Sequence, residues 1–466
     1  MREFNLVVIG GGPGGYVAAI RGAQLGASVA LIEKAKVGGT CLNRGCIPTK
    51  ALYYSAKRLK AVKEGAEFGV TTGDVAFDMA AAVARKDGIV EKLVSGVAGL
   101  LKGNGVEVIS GTGLIEGGGR VRVTKDDGED ETIGGASIII ATGSEPAMIP
   151  AFKIDGANVI TSTEALNLKE VPGSMLIIGG GVMGCEFATI FSAFGTDCIV
   201  VELLDSILAT EDRMVSRVIG KGFKGSGVSV LTGVLVEDVT VLGDKEVKTT
   251  LKDGRTFITE KVLVTIGRAF NSAGLGLTEA GIEVDKGRVV VDERLRTTLK
   301  NVYAIGDVTG KMLLAHVASV QGGIAAANAL GKNLSMDYSA IPYGIFTDPE
   351  IASVGLKEAE AKEQGLEVNV GRFPYAASGK ALGMGETEGF VQILADKGTD
   401  VVLGASIVGG HATDIIGEVG LAVKAGLKAK DIIDTVHAHP TLPELVLEAA
   451  EDTHGVAVHK IGRKKR

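Results

Sequence analysis

The sequence has no apolar run long enough to cross a membrane and no excess of positive charge. Runs such as residues 137–141 fall far short of the roughly 20 apolar residues that a membrane span needs. The apolar run near the N-terminus is too short for a secretory signal peptide. With 49 basic and 56 acidic residues the net charge is −7, and we interpret the short basic run at residues 463–466 as a solvated tail. We expect a cytoplasmic protein that binds neither membranes nor nucleic acid.

Proline is scarce as well, whereas glycine is abundant. The chain has 10 Pro and 68 Gly among 466 residues, so glycine reaches about twice its usual share of roughly 7%. The glycines follow no triplet period, which excludes collagen, and an apolar content of 45% is ordinary for a globular protein. We therefore expect many tight turns and close backbone approaches. Because single cores stop growing near roughly 250–300 residues, several domains are also expected.

Two glycine-rich segments form an internal repeat with a constant offset of 169 residues. Each copy has an apolar strand, a G-x-G-x-x-G turn, an amphipathic helix that ends at glycine, a second apolar strand and a terminal acid. The equivalent positions are Gly10, Gly12, Gly15 and Glu33 in the first copy and Gly179, Gly181, Gly184 and Glu202 in the second. One such motif alone is a weak indication, but both copies carry the strand–turn–helix context that is typical of dinucleotide binding.

The repeat predicts how a dinucleotide would be held. The glycines allow a tight turn, the approach of backbone to a pyrophosphate at a helix N-terminus, and close packing of helix and strand. Glu33 and Glu202 would accept hydrogen bonds from ribose hydroxyls. The Glu202 carboxylate would repel a 2′-phosphate, and residues 203–206 contain no Arg or Lys to hold one. The second copy therefore favours NAD over NADP, and the duplication indicates two dinucleotides or a pair of units of which one kept its ligand.

The chain has only four cysteines, and structural disulfides are rare in the cytoplasm. Cys41 and Cys46 lie in GGTCLNRGCIPTK, directly after the first nucleotide motif. Structural zinc needs about four ligands at set spacing, and the chain has no second half-site. Cys185 and Cys198 fall on the helix and the second strand of the second repeat, and we interpret them as small buried residues. No metal site is expected.

The Cys41–Cys46 pair is more typical of a redox dithiol. Residues five apart in a regular helix have α-carbons roughly 8–9 Å apart, beyond the roughly 7 Å that a disulfide can span. A bridge therefore needs a distorted turn, which the neighbouring Gly45 and a following proline could supply. Thiolate chemistry also needs a proton acceptor. Among only six histidines, His439 lies in the proline-rich segment HAHPTLPE, where Glu444 could orient its imidazole.

These residues resemble the pyridine nucleotide–disulfide oxidoreductase family over essentially the whole chain. The motifs occur in the family's order: GGGPGGYVAA, GGTCLNRGCIPTKAL, IIATGS, GGGVMGCEFA, TIGR, VYAIGDV, LLAHVA, FTDPEIASVG and HAHPTLPE. The resemblance implies an α/β fold with two Rossmann-like dinucleotide-binding domains, one for FAD and one for NAD, and a C-terminal α+β dimerisation domain. The implied boundaries are 1–145 for the FAD domain, 146–270 for the NAD domain, 271–340 for a central domain that completes the FAD site, and 341–466 for the dimerisation domain.

The resemblance also implies which residues bind the cofactors. The positions implied for FAD are Gly10, Gly12, Gly15, Glu33, Lys50, Gly113, Thr142, Gly143, Ser144, Asp307, Ala315 and His316. The positions implied for NAD are Gly179, Gly181, Gly184, Glu186, Glu202, Val234 and Gly267. By the family's pattern, Lys50 lies near flavin N5 and forms a buried ion pair with Glu186. Asp307 would contact the ribityl or phosphate part of FAD.

The activity that the resemblance implies is oxidation of dihydrolipoamide with reduction of NAD, by a homodimer. The substrate would be carried by lipoyl domains of 2-oxoacid dehydrogenase or glycine cleavage proteins. The implied catalytic residues are Cys41, Cys46, His439 and Glu444. His439 of the other subunit would take a proton from the substrate, whose thiolate would attack Cys41, and Cys46 would pass two electrons to FAD.

Other interpretations stay open on the sequence alone. A glutathione-like or coenzyme A-disulfide-like reductase would share the dithiol and the His–Glu pair, although glutathione reductases use NADPH, which Glu202 disfavours. Mercuric and larger thioredoxin reductases need a second, C-terminal cysteine or selenocysteine pair, and the last cysteine here is Cys198. A further alternative is a non-catalytic flavoprotein that senses redox state or serves as a structural subunit of a multienzyme complex.

Overall fold

Strands and helices alternate through the first part of the chain. A computed structural model describes residues 1–125 and 127–461, so the basic run at 463–466 lies outside the described residues. The strands up to residue 264 are β1 (Arg2–Ile9), β2 (Val29–Glu33), β3 (Glu107–Ser110), β4 (Thr112–Gly117), β5 (Arg120–Thr124), β6 (Asp130–Ile140), β7 (Ser144–Pro146), β8 (Val159–Ile160), β9 (Ser174–Ile178), β10 (Asp197–Val201), β11 (Ser229–Leu231), β12 (Val236–Gly243), β13 (Glu246–Leu251), β14 (Thr256–Thr259) and β15 (Lys261–Val264). The helices of this part are α1 (Pro13–Gln24), α2 (Gly39–Arg44), α3 (Cys46–Lys63), α4 (Met79–Gly103), α5 (Ser162–Ala165), α6 (Val182–Phe194) and α7 (Arg213–Gly225).

The remaining elements complete the first sheet and build a third one. The strands are β16 (Arg268–Phe270), β17 (Val284–Asp285), β18 (Arg288–Val289), β19 (Val302–Ala304), β20 (Tyr343–Ile345), β21 (Ile351–Gly355), β22 (Val368–Pro374), β23 (Phe390–Asp396) and β24 (Val402–Val408). The helices are α8 (Ala315–Ala329), α9 (Glu358–Glu363), α10 (Gly379–Met384), α11 (Ala412–Ala425), α12 (Ala429–Ile433) and α13 (Glu444–Thr453). Short 3-10 helices lie at Gly65–Phe68, Pro150–Phe152, Gly306–Thr309 and Tyr375–Ala377.

The first sheet is parallel at its centre, with strand order β3-β2-β1-β6. Beyond β6, the far edge is formed by the antiparallel strands β5 and β4 and by β19, which pairs with β6 in parallel. Val7 and Ile9 of β1 belong to the apolar cluster on one face, and Leu6 and Val8 to the cluster on the other. A central parallel strand is buried on both faces, which is why β1 needs a continuous apolar run.

The second sheet repeats the parallel order of the first, as β11-β10-β9-β15-β8. The strand pairs β1–β2 and β9–β10 come from the two copies of the sequence repeat, and each pair is joined by its amphipathic helix, α1 or α6. The first copy's helix begins with Pro13, which is favourable at the first helical position, and the second copy's helix ends at Gly195 with φ of +108°. Both parallel sheets confirm the predicted α/β class with two dinucleotide-binding units.

The third sheet is antiparallel, in the order β20-β21-β24-β23-β22. Helix α11 packs on β21 and β24, and α13 packs on β22 and β23, so the sheet and its helices enclose a separate apolar core. The smaller sheets are a two-stranded ribbon of β7 and β16, a two-stranded hairpin of β17 and β18, and a three-stranded meander of β12, β13 and β14. In the described ranges, no helix is both long enough and apolar enough to span a bilayer.

Candidate active site

The first glycine loop connects β1 to α1 and is closed by its own acid. Gly10 has φ of +103°, a conformation that glycine adopts without strain. A Cβ on Gly15 would lie 1.8 Å from the Gly10 carbonyl oxygen, so helix and loop can pack this closely only with glycine there. Glu33 Oε2 accepts the Gly11 N–H at 2.6 Å, and Oε1 accepts the Ala35 N–H at 2.9 Å. The carboxylate that the sequence predicts at a ribose is thereby fixed in place.

The second loop, between β9 and α6, has the same construction. Gly179 has φ of +105°, and a Cβ on Gly184 would lie 1.9 Å from the Gly179 carbonyl oxygen. Glu202 Oε2 accepts the Gly180 N–H at 2.6 Å, while Oε1 accepts the Leu204 N–H at 2.8 Å. The two copies of the repeat are therefore equivalent in individual hydrogen bonds as well as in sequence.

Both loops leave a helix N-terminus open to an anion. The capping residues of α1 and α6 are Gly12 and Gly181, which are extended and supply no side-chain hydrogen bond to the first turn. The backbone of Gly39 also closes on the first loop, because a Cβ on Gly39 would lie 2.6 Å from Gly12 Cα. Free N–H groups and the positive end of a helix are the donor set that a pyrophosphate requires. The residues present thus fit one dinucleotide at each loop.

A polar network links the loop after β6 to the turn after β19. Ser144 Oγ donates to Asp307 Oδ2 at 2.5 Å, and Arg268 donates to Ser144 Oγ at 2.6 Å and to its carbonyl oxygen at 2.7 Å. Thr142 Oγ1 donates to the Asn271 carbonyl oxygen at 2.6 Å. Ser144, Asp307 and Thr142 were expected at FAD from the sequence, whereas Arg268 and Asn271 were not singled out. Arg268 belongs to the TIGR motif, and that charged residue next to an apolar strand could have indicated it.

The other predicted FAD positions lie at the edges of the same unit. Gly113 lies on β4 against the side chains of Ile9 and Ile32, where a Cβ would crowd both. Gly143 has φ of +71°, which suits a sharp turn. Ala315 is the first residue of α8, whose N-terminus has no side-chain cap, and His316 follows it with an exposed side chain.

Two further predicted NAD positions border the second loop. The Val234 N–H donates to the Glu202 carbonyl oxygen at 3.0 Å, so Val234 lies directly beside the predicted ribose acceptor. Gly267 lies between β15 and β16 with φ of +124°. Its carbonyl oxygen accepts the Ala147 N–H at 3.0 Å, which joins the exit of the second unit to the end of the first.

The two cysteines flank a break between helices. Cys41 lies on α2, Cys46 begins α3, and Gly45 between them has φ of −139° and ψ of −112°. The distorted turn that the spacing predicts is confirmed. Both cysteines are free thiols, and a hydrogen bond from Cys41 lowers the pKa of Cys46 to about 7, with Lys50 assisting and burial opposing. The same contact, together with burial, raises the pKa of Cys41. Cys46 is thus the thiolate of the pair near neutral pH.

Lys50 lies on α3, one turn after Cys46. Through the Glu186 carboxylate it is joined to the second and third sheet regions. Its Nζ lies 2.8 Å from Glu186 Oε2 on α6. Glu186 Oε1 also accepts the Phe346 N–H at 3.0 Å, and Lys50 Nζ lies 4.5 Å from the centre of the Phe346 ring. The Glu186 side chain is only 5% exposed, so its charge depends on these partners. The ion pair expected from the sequence is present.

The histidine segment precedes α13 and presents its imidazole to solvent. His439 Nδ1 lies 2.8 Å from Glu444 Oε1, while Glu444 Oε2 accepts the Thr441 N–H at 2.7 Å. Burial opposes ionisation of Glu444, yet the Thr441 N–H and His439 outweigh it and lower the pKa of the carboxyl. The His439 side chain is 81% exposed, and no contact in the described part of the chain joins it to the cysteines.

Cys185 and Cys198 are buried in the second unit, as predicted. Burial raises the pKa of both thiols, to about 12 for Cys198. Neither is therefore a reactive thiolate near neutral pH.

Two preformed dinucleotide loops, a dithiol with one acidified thiol, and an oriented imidazole define a class of oxidoreductases that exchange electrons between a cysteine pair and bound dinucleotides. Residues 4–322 match the model of the pyridine nucleotide-disulphide oxidoreductase family, and residues 341–450 match the model of that family's dimerisation domain. The chain belongs to the pyridine nucleotide-disulphide oxidoreductase family.

Curated relatives and solved structures match this chain over nearly its whole length. The chain is 42% identical over 461 residues to dihydrolipoyl dehydrogenase of Staphylococcus aureus, with 98% of each chain covered. It is 45% identical over 451 residues to dihydrolipoyl dehydrogenase of Chlamydia pneumoniae, with 96% of each covered. The crystal structure of LpdA from Mycobacterium tuberculosis matches with a TM-score of 0.91 at 28% identity, covering 97% of this chain and 99% of that one. The HOCl-induced flavoprotein disulfide reductase RclA of Escherichia coli, as its Cu(II) complex, matches with a TM-score of 0.88 at 31% identity and the same coverage.

Proposed function

We propose that this protein oxidises dihydrolipoamide to lipoamide and reduces NAD⁺, the activity of a dihydrolipoyl dehydrogenase. The observation that carries the proposal is the Cys41–Cys46 pair, split across a helix break with its acidified thiol one turn from Lys50. The full-length similarity to enzymes named dihydrolipoyl dehydrogenase supports the choice of substrate. The Glu202 carboxylate beside the second loop supports NAD rather than NADP.

The cysteine pair carries the electrons in two exchange steps. His439 takes a proton from one thiol of dihydrolipoamide, and the resulting thiolate attacks Cys41 of the oxidised pair. The Cys41–Cys46 bond breaks, and Cys46 leaves as a thiolate, which its pKa of about 7 favours. The second substrate thiol then displaces Cys41 and closes the lipoamide disulfide. Two electrons have then passed from the substrate to the cysteines.

Each glycine loop is assigned one of the two cofactors. When bound, FAD would supply the two-electron redox chemistry that connects the cysteine pair to NAD⁺. The first loop, Glu33 and the Ser144–Asp307 pair would hold FAD, and the Lys50 ammonium would serve its reactive ring. The second loop and Glu202 would hold NAD. The hydrogen bonds to Glu186 orient Lys50, whose charge helps to lower the pKa of Cys46.

The four predicted regions are also part of the proposal. Strand β19 pairs with β6, which supports assigning residues 271–340 to a central region that completes the FAD-binding unit of residues 1–145. The second parallel sheet supports an NAD-binding region at 146–270, and the antiparallel sheet supports a separate region at 341–466.

We further infer that the protein acts as a homodimer on lipoyl domains of 2-oxoacid dehydrogenase or glycine cleavage proteins, in the cytoplasm. The match of residues 341–450 to a dimerisation domain supports the dimer. The exposed His439 imidazole, already oriented by Glu444 but away from its own chain's cysteines, is in the state expected of a base supplied to a second subunit.

The direct test is NAD⁺ reduction by dihydrolipoamide, measured beside oxidised glutathione with NADPH and with NADH. Rapid turnover confined to the lipoamide–NAD pair is the expected result. Turnover with NADPH and another disulfide alone would overturn both the substrate and the nucleotide. A His439→Gln variant should lose most turnover with dihydrolipoamide while NADH still bleaches the flavin, and an unchanged rate would exclude His439 as the base.

A further inference from the structure

The helix that carries Cys41 is held by polar contacts rather than by apolar packing. None of the residues of α2, Gly39 to Arg44, is buried. Glycines lie at both ends of the helix, since Gly38 and Gly39 have φ of +96° and +56° and Gly45 follows it. Within the segment, Asn43 Nδ2 donates to the Val37 and Gly39 carbonyl oxygens. The N-terminal end of the helix is also joined to the first glycine loop, because the Gly38 N–H donates to the Gly11 carbonyl oxygen at 2.7 Å.

Two side chains of α2 contact residues that are distant in sequence. The shorter of these contacts is an ion pair at the C-terminus of the helix. Arg44 Nη2 lies 2.6 Å from Glu145 Oε1, across 101 residues of sequence. The other side-chain link in this direction, from Thr40 Oγ1 to the Ser144 carbonyl oxygen, is long at 3.4 Å. Arg44 and Glu145 are 41% and 32% exposed, which makes the pair weak in absolute terms. Because Arg44 lies between the two cysteines in the sequence, this ion pair influences the distance between their sulfur atoms.

Glu145 is a rigid anchor for this contact. It lies in the middle of β7, opposite Ala269 in the ribbon with β16. The ribbon is locked from the side by the two Arg268 bonds to Ser144, and Asn271 Nδ2 lies 3.5 Å from Glu145 Oε1. Arg44 therefore joins a helix without buried residues to a strand that is held by several hydrogen bonds.

We propose that Arg44 is a positioning residue whose ion pair with Glu145 holds Cys41 where it can close the disulfide with Cys46. The inference rests on the proposed cysteine relay and adds a residue to it. When the ion pair is lost, α2 samples other orientations between its glycines, and the effective concentration of one sulfur at the other falls. The dithiol state then gains relative to the disulfide.

The size of the effect follows from the exposure of the pair. An exposed ion pair shifts an equilibrium by up to about fivefold. We expect Arg44→Gln to lower the equilibrium constant for disulfide formation two- to fivefold, which corresponds to about 10–20 mV for a two-electron couple. Because the hydrogen bond from Cys41 is the largest cause of the lowered pKa of Cys46, that pKa should rise in Arg44→Gln together with the loss of disulfide stability.

The experiment equilibrates the purified full-length protein, without NAD, in buffers of reduced and oxidised glutathione. One oxidised glutathione takes two electrons from the cysteine pair and leaves two reduced glutathiones and the Cys41–Cys46 bond. The fraction of bonded protein is read from the mass added by alkylation. Arg44→Gln and Glu145→Gln should shift the midpoint alike, and the double charge reversal Arg44→Glu/Glu145→Arg should restore it. Lys153→Gln, which removes one cation from the exposed Lys153–Asp238 pair of 3.0 Å, is the matched control.

The outcomes separate this inference from the proposed function. A wild-type protein that forms no Cys41–Cys46 bond at any glutathione ratio would refute the relay itself. A wild type that forms the bond, with an unshifted midpoint in Arg44→Gln, would refute the positioning role alone. A shift that the double reversal fails to restore, or one that Lys153→Gln reproduces, would likewise overturn it.

Discussion

The strongest prediction concerns the source of the acidity of Cys46. The largest cause of its lowered pKa is the hydrogen bond from the Cys41 thiol, ahead of the charge of Lys50. A fall from an ordinary thiol pKa of about 8.5 to about 7 is worth about 2 kcal/mol. Because Cys46 is exposed in the single chain, solvent screening brings this nearer to about 1 kcal/mol. Replacing Cys41 by Ala should therefore lower the thiolate fraction of Cys46 at pH 7 from about half to roughly 3–15%.

The assay is the pH dependence of alkylation of Cys46 by iodoacetamide, because only the thiolate reacts. The reference state is the reduced wild type, in which Cys41 also reacts, so alkylation is assigned to each cysteine by peptide mass. Cys41→Ser is the matched control, since its hydroxyl can still donate a hydrogen bond, and its midpoint should lie between those of wild type and Cys41→Ala. An alanine variant that titrates at the wild-type pH would show that Cys41 does not set the acidity of Cys46.

Two further predictions test the loops and the buried ion pair. Gly184→Ala should abolish NAD binding while FAD is retained, because the new methyl would meet the Gly179 carbonyl oxygen at 1.9 Å; isothermal calorimetry measures it. Gly220→Ala on α7, whose methyl would have no neighbour within 4 Å, is the control, and equal loss in both would contradict the steric argument. Lys50→Met should cost about 3 kcal/mol in urea unfolding by stranding the Glu186 carboxylate, and an unchanged midpoint would show that the pair adds nothing to stability.

Local sequence patterns predicted the two dinucleotide units well. The glycine conformations at Gly10 and Gly179, the strand–helix–strand order and the acids at Glu33 and Glu202 all depend on residues within one repeat. Backbone sterics and apolar periodicity act over such short distances, so a pattern in the sequence is enough to specify them. The helix break at Gly45 is local in the same sense.

The contacts that the sequence did not reveal join distant parts of the chain. Arg268 reaches Ser144 across 124 residues, and Arg44 reaches Glu145 across 101. Such pairs depend on how sheets are ordered and how the chain returns to an earlier sheet, which no local periodicity encodes. The Lys50–Glu186 pair, 136 residues apart, was expected only through the family resemblance and not from its own neighbours.

The acids of the two loops have a consequence for how quickly and tightly cofactors bind. An ionised carboxylate has about four acceptor sites. Glu33 uses two of them to accept the N–H groups of Gly11 and Ala35. The remaining sites are available to a ribose without releasing the loop. Because these hydrogen bonds are made within the chain, they order the backbone without a ligand, and association avoids an entropic penalty of about 1–2 kcal/mol for each residue that would otherwise have to be fixed. A cofactor at such a loop therefore binds to ordered backbone, and the loop does not have to fold around it.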